Sequence, residues 1–198
     1  SQAQSDRDFQ QAVSRMKSIY ANVGIDVGPV NYQAVTGSRA RDLAVVDNSA
    51  EFATLFELLD PSKSKGLNFV MVDQFNLGTG GGQTLGLSNG IPGTPGISTS
   101  TNLPVSGVAV ALAFLDGQST QFASTLAHEG GHHMGLFHTT ERGGQSYDPL
   151  ADTAECSARN DSNGDGAVDA SECIGNGARN LMFWVAGQNI TQEDITKD

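Results

Sequence analysis

Basic residues are scarce: eleven lysines and arginines stand against 22 aspartates and glutamates in 198 residues, a formal net charge of -11. That balance lacks the cationic footprint of a nucleic-acid partner and favours solubility outside the cell. Long apolar runs are missing as well. A bilayer-spanning helix needs about 20 consecutive apolar residues, and no such run exists, so a membrane span is excluded. No signal peptide is recognisable, so an exported protein would be represented here by its mature or trimmed form, with room for an upstream prosegment. No internal repeat is visible, and nothing indicates an oligomeric state. What remains, 38% hydrophobic residues at this length, suits one domain with a real core.

Histidine occurs four times, and all four copies fall in His128-Glu129-Gly130-Gly131-His132-His133-Met134-Gly135-Leu136-Phe137-His138, the pattern HExxHxxGxxH. Residues four apart on a helix are offset by about 40° and about 6 Å, so His128 and His132 present their imidazoles on one face. Such a pair is a zinc-ligand spacing. Glu129, one residue on, can reach a water at the metal without ligating the metal itself. Gly135 lets the chain leave the helix, which brings His138 in as a third ligand. Three neutral nitrogens leave one position open, as in a catalytic zinc site and unlike a structural one. His133 lies about 100° around the helix from His132 and reads as a supporting or surface residue. Gly130 and Gly131 each cost roughly 1 kcal/mol of helix propensity, which makes sense if another segment or a substrate passes close there.

A second ion site follows. Asp161-Ser162-Asn163-Gly164-Asp165-Gly166-Ala167-Val168-Asp169-Ala170-Ser171-Glu172 matches the twelve-residue calcium loop of EF-hands. Asp161, Asn163, Asp165 and Asp169 supply side-chain oxygens, Ala167 a backbone carbonyl, Gly166 the sharp turn and Glu172 a bidentate carboxylate. The competing reading is a polar turn that merely solvates. Flanking helices are not evident, so calcium is expected to staple a loop and not to signal.

The only two cysteines, Cys156 and Cys173, bracket this loop. An even pair reads as a disulfide, worth about 3 kcal/mol for a loop of this size in the chain-entropy model. A free thiol that caps the zinc in a latent form is the alternative and fits the pairing less well. Disulfide and calcium together point to an extracytoplasmic setting, secreted or cell-surface.

Periodicity predicts a helix capped by Ser5 and running to about Val23, with Phe9, Val13, Met16 and Tyr20 on one face and Gly24 at its end. Ile25 to Val35 reads as a strand. A second helix is expected from Ser49 to Leu59, capped by Asn48 or Ser49. Leu67 to Phe75 and Val105 to Leu115 read as buried strands, and the zinc helix runs from about Ser119 to Met134. The Gly, Ser, Thr and Pro-rich stretch from Asn76 to Pro104 is too long for a casual connection. It forms either a functional lip or a flexible loop, with a short edge strand at Thr84 to Ser88.

The zinc pattern at 128–138 resembles that of the metzincin zinc endopeptidases. Asn180-Leu181-Met182-Phe183-Trp184 is similar to the methionine turn of that clan, which implies that Met182 lies beneath the metal as a hydrophobic floor. Gly135-Leu136-Phe137-His138-Thr139-Thr140, followed by Asp148-Pro149-Leu150-Ala151-Asp152-Thr153, resembles the pappalysin-like group. In that group a tyrosine commonly stands two residues after the methionine. Here Trp184 does, and an indole offers one donor and no acceptor. Tyr147 is a conceivable substitute from a loop.

The resemblance implies an α/β (α+β) metzincin-like fold in one catalytic domain, 1–198. Its upper subdomain, 1–135, would hold a twisted mixed β-sheet, helices and the zinc helix. The small irregular lower subdomain, 136–198, would hold the third zinc ligand, the calcium loop and the Met-turn. Implied too is a zinc-dependent endopeptidase acting on protein or peptide substrates, with Glu129 as general base, catalytic Zn2+ and structural Ca2+. The 84–88 edge strand would pair with an extended peptide. Two rivals remain: a degenerate metzincin that binds without cutting, and a calcium-stabilised adhesion or binding module.

Overall fold

The first long helix starts at an aspartate. In the computed structural model, which describes residues 2–78, 83–94, 106–115 and 117–196, a short α1 (Gln2–Ser5) precedes α2 (Arg7–Ala21). Asp6 caps α2 by accepting from Phe9 N at 2.8 Å, while the Ser5 hydroxyl turns back to the Gln2 carbonyl. The cap therefore moves one residue from the expected Ser5, because a carboxylate and a hydroxyl compete there and the carboxylate reaches the N3 amide. The expected apolar face is buried: Phe9, Val13, Met16 and Tyr20, joined by Ala12 and Ile19. Gly24, at φ 84°, ends the helix in the left-handed region as expected.

Ile25 to Val35 forms no strand. Pro29 removes a donor from its middle, and Ile25, Val30 and Val35 are exposed by 41%, 40% and 37%, so no ladder claims it, while Val27 and Tyr32 pack against the core. Side chains hold it instead. Lys17 Nζ donates to the Val27 and Gly28 carbonyls, and Tyr32 bonds Gln10. After α3 (Ser38–Asp42) and β1 (Val45–Val46), Asn48 accepts from Glu51 N at 2.9 Å and caps α4 (Ser49–Thr54). The last turn of that expected helix tightens into a 3-10 segment, Leu55–Leu58.

The expected strand from Leu67 to Phe75 breaks at Asp73 into β2 (Phe69–Val72) and β3 (Gln74–Phe75). Asp73 N turns aside to the Ala44 carbonyl at 2.7 Å, so β3 pairs with β1 instead of continuing the main sheet. The main sheet has the order β2-β5-β4, from β2, β4 (Gly86–Ser88) and β5 (Val108–Ala111). Strands β2 and β5 are parallel, and β4 runs antiparallel to β5 with Gly86 opposite Val110. Of the described part of the predicted Val105 to Leu115 strand, residues 106–115, only β5 is laddered, and Leu112–Phe114 forms a 3-10 turn. Residues 79–82 and 95–105, within or next to the predicted lip, lie outside the described residues.

Strand alternation divides the core between the two faces of the mixed sheet. Val110 joins α2 and α5 (Ser119–Met134) through Phe122, Ala123, Leu126 and Ala127. Ala109 and Ala111 face Val46, Phe52, Phe56, Val70 and Val72. Each large side chain buried this way contributes about 1.5–3 kcal/mol. A third cluster gathers Cys156, Val168, Ala170, Cys173, Ala178 and Phe183 beyond the zinc helix. Among the described residues no helix is long and apolar enough to cross a membrane.

Candidate metal centre

Helix α5 spans the predicted residues, Ser119–Met134, and Gly135 follows at φ 110° in the left-handed conformation. A residue with a Cβ resists that turn. Beyond it the chain doubles back, and His128, His132 and His138 come together with ligand atoms within 4.8 Å of one another. His132 Nε2 lies 3.1 Å from His138 Nε2, which lies 3.3 Å from His128 Nε2.

The protons on these rings follow from their other nitrogens. His128 Nδ1 sits 2.7 Å from the Leu181 carbonyl and His132 Nδ1 2.7 Å from the Leu136 carbonyl. A carbonyl only accepts, so both Nδ1 atoms donate and both Nε2 atoms carry bare lone pairs. His138 Nδ1 faces Glu141 Oε1 at 3.1 Å. Three lone pairs pointing at one centre repel one another unless a cation lies between them. Imidazole nitrogens about 2.0–2.1 Å from a tetrahedral zinc would be about 3.3–3.4 Å apart, close to the spacing found. The donor set therefore fits zinc.

Electrostatics agree. Burial, with His132 and His138 close by, drives His128 down to about 3, so it stays neutral and ready to ligate. Burial also lowers His132, against the bond to the Leu136 carbonyl and the charge of Glu141. Glu129 is 6% exposed, and burial pushes its carboxyl up to about 8. A bound divalent cation favours the carboxylate and works against that rise.

Glycines make room around this helix. A Cβ on Gly131 would stand 2.7 Å from Met182 Sδ, and one on Gly130 would strike the Tyr20 hydroxyl, which donates to the Ala127 carbonyl at 2.6 Å. Passing segments thus account for both mid-helix glycines, as the sequence suggested. On the opposite face β4 lies over Glu129: a Cβ at Gly86 would be 2.6 Å from Glu129 Cγ and 2.8 Å from Oε1. His133, one turn on from Glu129, fills the space that a Cβ on Gly93 would need, and Gly93 N donates to the His133 carbonyl at 2.9 Å. His133 is a supporting residue that docks the 90–93 turn.

Met182 is buried against Leu181 and the α2 and α5 side chains, and its carbonyl accepts from Thr139 N at 3.0 Å. Trp184 turns elsewhere. Its indole N–H donates to the Val168 carbonyl at 2.7 Å, tying the methionine turn to the acidic loop. The Tyr147 hydroxyl donates to the Gly144 carbonyl within its own loop. Asp148 accepts from the Thr153 hydroxyl at 2.7 Å, which makes that motif a loop staple.

Cys156 and Cys173 form the expected disulfide, with Cα atoms 5.6 Å apart. In the loop they bracket, Gly166 adopts φ 81°, and the side-chain oxygens point inward onto backbone amides. Asp161 accepts from Gly164 N and Gly166 N, Asn163 from Asp165 N, and Asp165 from Ala167 N. Asp169 and Glu172 cap each other: Glu172 N donates to Asp169 at 3.1 Å and Asp169 N to Glu172 at 3.0 Å. The Ser171 hydroxyl, bonded to Asp169 at 2.7 Å, with the Glu172 and Ser171 amides holds the Asp169 carboxyl below its usual range, and the Asp169 and Ser162 amides do the same for Glu172. Among the described residues, the histidine trio is the one group of His, Cys, Asp and Glu ligand atoms that converges this tightly.

Sequence reasoning missed Gly86, Gly93 and the partners of the three Nδ1 atoms. Two of those partners are backbone carbonyls, which leave no mark in a sequence. Glu141, three residues after His138, was the one signal available.

The family profile described as pregnancy-associated plasma protein-A matches residues 75–198. No curated protein and no solved structure matches the chain. The profile match covers more than half of the chain and includes the histidine centre, the bracketed loop and the methionine turn, so the chain belongs to this family of metzincin-like metallopeptidases.

Proposed function

We propose that the chain is a zinc-dependent endopeptidase in which His128, His132 and His138 hold the metal and Glu129 is the general base. The observation that carries this reading is the convergence of three Nε2 lone pairs beside a buried carboxylate under the edge strand. When bound, zinc supplies Lewis-acid polarisation of the scissile carbonyl and makes water more acidic. Glu129 then takes the proton of the attacking water and delivers it to the leaving amine. The dry surroundings of Glu129 raise its basicity, which suits that transfer. Among the described residues strand β4 is the outer strand of its sheet, and an outer strand offers main-chain pairing to an extended protein or peptide substrate. Met182 serves as the floor of the site.

The loop Asp161, Asn163, Asp165, Ala167, Asp169 and Glu172 is assigned to structural calcium. Support comes from the position-by-position ligand match and from the left-handed Gly166 at the loop's sixth place. Residues 1–135 and 136–198 form the two lobes of one catalytic unit, with the cleft between them. The disulfide and the assigned calcium loop support an extracytoplasmic setting, secreted or cell-surface.

The deciding experiment is cleavage of unfolded casein by the wild type and Glu129→Gln, each with matched zinc content. The variant is expected to lose about 10²- to 10⁴-fold in rate while keeping fold and metal. Wild-type activity in the variant would refute the general-base role. A wild type that binds zinc but never cleaves would favour the degenerate reading, and one that binds no zinc would favour the binding module.

A further inference from the structure

The three metal-facing histidines are not held alike. His128 and His132 stand on α5 and donate Nδ1–H to carbonyls of the main chain, Leu181 and Leu136, at 2.7 Å each. Their orientation is built into the methionine turn and the helix exit. His138 has no such support. It lies past the left-handed turn at Gly135, outside any helix, and its Nδ1 partner is the carboxylate of Glu141 at 3.1 Å.

Resting on the zinc reading above, we propose that Glu141 is a positioning residue of the metal centre: it accepts the Nδ1 proton of His138 and holds that ring with Nε2 toward the metal. A carboxylate behind a ligating imidazole fixes the tautomer and makes the ring a stronger donor, effects that a neutral carbonyl delivers more weakly. The local backbone prepares Glu141 for this. Glu141 N donates to the Ser146 carbonyl at 2.9 Å, and the Glu141 carbonyl accepts from Gly144 N at 2.8 Å, so the residue is anchored at both main-chain groups before its side chain reaches back. The Glu141 side chain is 52% exposed against 23% for His138. It lies beside a partly exposed ligand, and its replacement leaves the buried clusters untouched.

The test is zinc titration of metal-free protein against a competing chelator, for the wild type, Glu141→Ala and Glu141→Gln. Glu141→Ala is expected to weaken zinc binding ten- to a hundredfold, the range typical for loss of such a partner. Glu141→Gln keeps an acceptor without the charge and should fall between. Melting of the metal-free proteins should coincide, and the visible spectrum of the cobalt(II)-loaded Ala variant should shift, which a purely structural role would not produce. Zinc affinities within twofold of wild type in both variants overturn the proposal and leave the zinc reading intact. A wild type that binds no zinc overturns both. If Glu141→Ala does not fold, Glu141→Gln decides by the same twofold criterion.

Discussion

Replacing Gly86 with alanine adds one methyl group, directly above the proposed base. That methyl would lie 2.6 Å from Glu129 Cγ, 2.8 Å from Oε1 and 2.9 Å from Cδ, about 1 Å inside ordinary van der Waals separation. Neither side yields freely. Strand β4 is pinned to β5, with Gly86 opposite Val110 and Ala111 N bonded to the Leu85 carbonyl at 2.8 Å. Glu129 projects from a buried stretch of α5, so its side chain must rotate or the strand must rise. Overpacking of this kind costs about 1–3 kcal/mol of stability. A misplacement of about 1 Å in a catalytic group costs on the order of 10² in rate. The expected result for Gly86→Ala is a kcat lowered by about 10- to 100-fold at unchanged zinc content, because the three atoms nearest the methyl all belong to Glu129. Gly66→Ala is the control, since a Cβ there meets nothing within 4 Å. The assay pairs steady-state cleavage of an extended peptide with elemental analysis and a thermal melt. A Gly86→Ala protein with wild-type kcat would show that Glu129 is not held by this contact.

Metal-free protein should show an unusual pH dependence. Glu129 rises from 4.5 to about 8 on folding, so its contribution to stability is fully present below pH 4.5 and is lost as pH rises through about 8. His128, lowered from 6.5 to about 3, contributes stability present above pH 6.5 and lost as pH falls through about 3. In chelator, Glu129→Gln should therefore melt higher than wild type at pH 8–9 and converge with it near pH 4–5; parallel melting curves across that range would contradict the burial of the carboxylate. Glu172→Ala should make melting insensitive to calcium, whereas a wild type at a hundredfold excess over its dissociation constant gains about 2.7 kcal/mol. No calcium response in thoroughly chelated, zinc-reloaded wild type would reduce the loop to a polar turn. Trp184→Phe should cost about 1–3 kcal/mol by leaving the Val168 carbonyl without its donor and should leave zinc stoichiometry alone. Loss of zinc in that variant would instead place the indole at the metal.

Local signals carried most of the site. His128, Glu129 and His132 are legible because ligand spacing on a helix is a property of consecutive residues, and Gly135 because only a left-handed turn can bring His138 back. Asn48 and the α5 boundaries follow from capping and punctuation for the same reason. Ile25 to Val35 misleads because β-branched residues report a local preference, while a strand needs a neighbour with free edges, and Pro29 denies it one. The break at Asp73 is invisible for a related reason: the amide that leaves the ladder goes to Ala44, a contact set by the whole sheet. Gly86, in the expected edge strand, and Gly93, in the stretch after it, carry no mark of a contact until α5 is placed beneath them. A missing Cβ carries meaning only when its would-be neighbour is known.

The Nδ1 partners have a consequence for how the site forms. Helix α5 alone supplies His128 and His132, but it does not fix their tautomers. His128 depends on Leu181, in the methionine turn, and His132 on Leu136, beyond the helix end. Leu181 N is itself held by the Asp194 carbonyl at 2.8 Å, and Thr139 N by the Met182 carbonyl, so the turn is locked from both sides. Phe183 next to it packs in the cluster that holds Cys156, Cys173 and Val168, and Trp184 bonds that same Val168. The disulfide-bracketed loop, the methionine turn and the ring of His128 thus form one connected chain of contacts. A histidine free to choose its tautomer presents Nε2 as a lone pair only part of the time, and metal affinity falls with that fraction. Zinc affinity therefore measures how well the segment after Gly135 has closed over the helix, even though two of the three ligands lie before it.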